Sequence, residues 1–171
     1  MNEVQRIADQ LERAYRADAW CGASLLEALA GVDTEIAAAR PLPDAHSIWE
    51  IVVHAGGWKD TVRRRLEGED IGTPMDGDWP VIDDHSDAAW MAAQQELDHR
   101  HAQLMAAVRG MTDARLHDVL STERSRETGG GVSGYIQLHG VAQHDLYHAA
   151  QIALLKKWWP VSSSSAGSGR P

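Results

Sequence analysis

The sequence predicts an all-α protein, a four-helix bundle, on three observations. Apolar residues recur at three- and four-residue steps in four separate stretches. The apolar set is rich in Ala, Leu and Trp and contains no Phe, a composition that favours helices over strands. Residues that start and stop helices bracket the stretches. At 171 residues, 43% of them hydrophobic, the chain can bury one core without cross-links. The expected organisation is one bundle domain over residues 1–160 and a flexible Ser/Gly-rich tail over 161–171.

The elements follow in order. Val4, Ile7, Leu11, Ala14, Leu25 and Leu29 share a stripe that predicts a first long helix from Asn2 to about Leu29. Asp18 sits on that stripe where the period expects an apolar residue. Gly31 ends the pattern, Asp33-Thr34-Glu35 can start a short turn, and Pro41 and Pro43 break it. Ser47 with Glu50 reads as a capping box for a second helix from Ile48 to about Glu67, with Ile51, His54, Ala55, Trp58, Val62 and Leu66 inside. Gly68 to Asp84, rich in Gly, Pro and acids, reads as a long loop of the kind that forms lids or binding surfaces. Ser86 caps a third helix that carries Trp90, Leu97, His101, Leu104 and Val108 up to Gly110. After an irregular segment through Gly129-Gly130-Gly131, Ser133 caps a last helix from Gly134 to about Trp158, which Pro160 stops. Its inner stripe reads Gln137, Gly140, His144, His148, Gln151, Leu155 and Trp158.

Composition excludes several functions. A formal net charge of -9, with Arg63 to Arg65 as the one basic run, argues against nucleic-acid binding. No apolar run approaches the roughly 20 residues of a membrane span. The single cysteine, Cys21, cannot form an intramolecular disulfide, and no secretory signal is recognisable, so the reducing cytoplasm is the expected compartment.

The chemistry lies in three histidines. Residues four apart on a helix differ by about 40° in azimuth and roughly 6 Å in height, so His144 and His148 can aim at one ion. On a core-facing stripe, imidazoles without partners would each cost about 1–3 kcal/mol, so burial demands a partner. His54, on the core stripe of the second helix, can bring a third nitrogen to the same point. Three such ligands suit a borderline divalent metal and keep a position open, whereas structural zinc sites are closed by four protein groups. A metal-free hydrogen-bonded cluster is the competing reading, and spacing together with facing outweighs it.

These residues carry a family resemblance. Pro43-Asp44-Ala45-His46-Ser47-Ile48-Trp49-Glu50-Ile51-Val52-Val53-His54 with Trp58 resembles the second-helix motif of the DinB/YfiT-like superfamily. His144-Asp145-Leu146-Tyr147-His148-Ala149-Ala150-Gln151-Ile152 resembles its last-helix motif, and Ala19-Trp20-Cys21-Gly22-Ala23-Ser24-Leu25 with Pro41 its first helix and connection. The resemblance implies an up-down-down-up bundle, usually dimeric, with a metal held by His54, His144 and His148. It implies zinc or nickel first, with iron or manganese as further options. It also implies thiol transfer or hydrolysis on a small molecule, with a low-molecular-weight thiol as one candidate partner. Gly56-Gly57 after His54 departs from the pattern, because each Gly costs a helix about 1 kcal/mol relative to Ala. Either a neighbour approaches closely there or the site is looser.

Other residues admit ordinary roles beside functional ones. Gln151 can place a metal-bound water or substrate, or be a core amide bonded to backbone. Asp18 is the first-helix candidate for a base, or an edge residue at a bend near Gly22. Asp145, about 100° from His144, suits a surface or interhelix role. Glu50 is explained by capping. His101 reads as a satisfied core residue, and His46, His85, His99, His117 and His139 as surface or capping residues. Trp49 and Trp58 suit core or pocket wall, and Cys21 a buried inert thiol. Three activities remain open: metal-assisted thiol transfer, metal-assisted hydrolysis, and a non-catalytic binding module. A pocket lined by Arg or Lys favours an anionic thiol. A carboxylate one water from the metal favours hydrolysis. A fourth protein ligand, Asp18 or His101, favours a structural ion.

Overall fold

The computed structural model describes residues 1–121 and 131–165, with side chains through Trp159. The described chain is mostly helical: α1 (Glu3–Tyr15), α2 (Leu25–Leu29), α3 (Thr34–Ala38), α4 (Ile48–Leu66), α5 (Asp87–Arg109) and α6 (Gly134–Ser165). A 3-10 turn at Asp113–His117 leads into a two-residue antiparallel pair, β1 (Val119–Leu120) and β2 (Val132–Ser133), with Val119 opposite Ser133. That small ladder has no counterpart in the expected irregular segment. No helix among the described residues is long and apolar enough to cross a membrane.

Helix starts follow the capping chemistry. Ser47 Oγ accepts from the Glu50 N–H at 3.2 Å and Glu50 Oε2 accepts from the Ser47 N–H at 2.8 Å, which closes the box that fixes α4. Ser86 Oγ caps α5 by accepting from Ala89 N–H at 3.2 Å and Asp33 Oδ1 caps α3 by accepting from Ile36 N–H at 2.9 Å, each without a reciprocal bond, while Ser133 Oγ accepts from Ile136 N–H at 3.4 Å at the start of α6.

The first long helix does not run to Leu29. α1 ends at Tyr15, and the chain reaches α2 through Asp18 at φ 66° and Gly22 at φ 150°. Both values lie where a helix cannot continue, and Asp and Gly are residues that tolerate them. Trp20 and Cys21, expected inside a helix, are consequently exposed, Trp20 completely. At the other end α6 continues past Pro160 to Ser165. Proline removes one N–H and crowds the preceding turn, but here the backbone carries on as helix. The expected tail is therefore helical as far as Ser165, and residues 166–171 lie outside the described residues.

The four long helices contact one another as a ring: α1 touches α5 and α6, and α4 touches α5 and α6. Their inner faces build two apolar clusters, one around Leu11, Val62, Leu104 and Val141, the other around Ile51, Leu97, Ala149 and Ile152. The change between clusters falls at a buried polar residue on three helices: Lys59 on α4, His101 on α5 and Asp145 on α6. The site lies alongside this polar layer.

Candidate metal centre

His54 comes from the middle of α4, and His144 and His148 come from successive turns of α6. His54 and His148 are buried and His144 is half-buried, and one ligand atom from each lies within 4.8 Å of the others. His144 Nε2 is 3.0 Å from His54 Nε2 and 3.0 Å from His148 Nε2. Three nitrogens at about 2.0–2.1 Å from a tetrahedral ion would be spaced about 3.3 Å apart, close to what is seen.

The outer ring nitrogens decide what the inner ones offer. His54 Nδ1 lies 2.8 Å from the Asp78 carbonyl oxygen, which can only accept, so Nδ1 holds the proton and Nε2 presents a lone pair. His148 Nδ1 lies 2.7 Å from Gln151 Oε1, which assigns the same tautomer. Both lone pairs face His144 Nε2, whose one proton can satisfy only one of them. A shared cation satisfies all three, so the donor set fits a divalent metal better than it fits a closed hydrogen-bonded cluster.

Burial keeps the rings neutral, as ligation requires. It lowers the His144 pKa to about 3, with the neighbouring His148 and His54 adding to the effect. It lowers His148 to about 4 against the opposing Gln151 contact, and lowers His54 against the pull of Asp78.

Loop residues 68–84 complete the wall, as lid-like loops do. The Trp79 indole lies flat on His54, ring centroids 3.8 Å apart, and its other face is covered by His46 at 3.5 Å. Asp78 Oδ1 accepts from Trp58 Nε1 at 2.7 Å. Gly57 is where the loop presses closest: a Cβ there would stand 3.0 Å from Pro74 Cβ. A close neighbour thus accounts for Gly57, while at Gly56 the nearest atom is an ordinary 3.5 Å away. His46 is therefore part of the wall rather than a plain surface residue. No periodicity marks loop residues, so Trp79 and Asp78 were invisible in the sequence.

The other candidates fall as follows. Gln151 places its Oε1 2.7 Å from Nδ1 of His148, fixing the second nitrogen of that ring. Asp18 is exposed and lines a separate groove with Trp20, Cys21 and His139, so it is not brought to the triad. His101 is buried against Tyr15, rings stacked at 3.8 Å, and lies outside the cluster. Trp49 is core beside Trp90, and Trp58 is pocket wall. Asp145 is fully buried, not at the surface, and pairs with Lys59 of α4. Desolvation lowers the Lys59 pKa and raises that of Asp145, each opposed by the other's charge. Lys59 on the inner face of α4 was the one signal that could have revealed this pair. Among the described residues no Asp, Glu or Cys joins the three imidazoles, so the cluster is open. Beside His144 lies a cavity of about 290 Å³ between α4 and α6, and His148 borders another of about 380 Å³.

A helical protein with an open, buried set of three imidazoles is the class that this fold and site define. Residues 17–152 match the model of the DinB superfamily, and the chain belongs to that superfamily. It is similar to a conserved protein from Enterococcus faecalis known from a crystal structure, with a TM-score of 0.66 and 16% identity over 92% of this chain and 97% of that one. At that identity the likeness concerns the fold alone. No curated protein matches the sequence.

Proposed function

We propose that the protein is a metal-dependent enzyme of thiol transfer to a small molecule, with His54, His144 and His148 holding the ion. The observation that carries this reading is the convergence of three Nε2 atoms with no fourth ligand among the described residues, which leaves a position for substrate. When bound, the ion supplies Lewis-acid chemistry, lowering the pKa of a thiol from about 8.5 or that of water toward about 7.

The protein's own residues favour the thiol. Hydrolysis calls for a base near the reacting water, yet Asp78 is turned to the outer nitrogen of His54, 3.2 Å from it, and to Trp58. Gln151 is occupied by His148. Thiol transfer needs orientation and exclusion of water, which the Trp79 stack and the α4–α6 cavity supply. Zinc and nickel are the first candidates for the ion, in keeping with an all-imidazole set.

The reading includes an up-down-down-up bundle, supported by the order in which helices meet the two core clusters. Along α1 and α6 the Leu11/Val141 cluster comes first, and along α4 and α5 it comes second. It also includes a cytoplasmic location and a homodimer, in which the fully exposed Trp20 would be covered.

Metal analysis of the purified protein beside His148→Ala tests the site, followed by assay of both with thiols and electrophiles. Metal near one per chain in the parent, its loss in the variant, and parallel loss of thiol consumption are expected. Equal metal content in both would remove the triad as the site, and metal loss without loss of activity would leave a binding module.

A further inference from the structure

We infer that the cavity beside His144 is the subsite for an uncharged, apolar part of the substrate. This rests on the reading of the triad as a thiol-transfer site and narrows its substrate. The walls are Trp58, Val62, Val132, Ile136 and Val141, with Gly140 one turn before His144 on α6. About 150 Å³ suffices for a benzene ring in an apolar cavity, so about 290 Å³ accommodates a ring with a short chain.

Two cations also border the space, Lys59 and Arg65, and by type alone they would mark a site for an anionic thiol. Their partners say otherwise. Lys59 is 1% exposed and paired with Asp145. Arg65 donates to the Ile71 carbonyl at 2.9 Å, the Gly72 carbonyl at 2.7 Å and Gln137 Oε1 at 3.2 Å. An incoming carboxylate would have to break these bonds and leave Asp145 or the carbonyls unpaired in a buried setting, which discriminates strongly against it. The cations therefore hold the walls together, and the free surface they leave is apolar.

Gly140 is the specificity device. A Cβ at this position would meet nothing within 4 Å, so the space in front of it is room that a longer side chain would fill. Glycine is a poor helix former, so Ala or Leu at this position favours α6 while narrowing the cavity, Leu more than Ala.

Two readouts test the assignment. On the cobalt-loaded protein, the sulfur-to-cobalt charge-transfer band should show benzyl mercaptan binding at least about tenfold more tightly than 2-mercaptoethanesulfonate, the scale set by apolar pocket contacts. Gly140→Leu should abolish that preference at unchanged cobalt content, and Gly140→Ala should reduce it. Saturation-transfer NMR with benzyl alcohol, which has no thiol, reads the cavity alone: transfer in the parent, weaker in Gly140→Ala, absent in Gly140→Leu. Equal affinity for the sulfonate, or transfer absent from the parent or unchanged in Gly140→Leu, overturns the subsite. If transfer behaves as expected but no thiol gives a band, thiol transfer fails and the apolar subsite stands.

Discussion

Gln151 holds the outer nitrogen of His148 at 2.7 Å, and groups in that position set both the direction and the basicity of a ligand. Gln151→Leu is expected to weaken metal affinity by roughly 10- to 100-fold, measured by competition with a chromophoric chelator; unchanged affinity would mean that His148 needs no such support. The Lys59–Asp145 pair is a second lesson at this scale. Both groups are almost wholly buried, so removing one leaves an uncompensated charge, which costs about 3–5 kcal/mol. Lys59→Met should therefore lose about that much stability in urea denaturation, whereas Lys59→Met with Asp145→Leu should recover most of it. Equal losses in the single and double variants would show that the pair is not coupled.

Among the elements, α4 and its facing loop are matched through two adjacent glycines. Gly56→Ala meets only ordinary contacts and should stabilise α4 by up to about 1 kcal/mol. Gly57→Ala brings a methyl to 3.0 Å from Pro74, so the loop must give by a few tenths of an ångström, which strains the contact of Asp78 with His54. Metal affinity should fall in Gly57→Ala and hold in Gly56→Ala, with the same chelator competition as the measure. What the sequence made legible here follows from periodicity and capping. Ser47 with Glu50 located α4, and His144 with His148 declared a shared face of α6. The end of α1 was only half legible: Asp18 and Gly22 hinted at a bend, but Leu25 and Leu29 resume the helical period beyond it and hid a complete break. Asp145 was half legible: its azimuth gave an interhelix position, but the charge opposite it depends on how α4 is seated. The Trp79 stack was not legible at all, since nothing periodic ties a loop residue to a helix.

Across the whole molecule, buried neutral histidines make stability depend on pH. His101, His144 and His148 are held at about 2, 3 and 4, with desolvation the leading cause for each, while the unfolded chain titrates near about 6.5. Below that pH the unfolded state binds more protons than the folded one, so stability falls as pH falls. The metal-free protein should hold a constant melting temperature from about pH 8 to 7 and lose stability progressively below about 6.5. A non-titrating residue at position 101 should flatten part of that decline. A melting temperature flat down to about pH 4.5 would contradict the burial of these rings.

The indole of Trp79 rests on the ring of His54, the same ring that turns its inner nitrogen toward the other two. An ion held by His54 would thereby stiffen residues 68–84, and by reciprocity anything that pins those residues would tighten the hold on the ion. Protease digestion within this stretch should slow when zinc is added, and a cross-link tying it to α4 should tighten the equilibrium affinity for zinc.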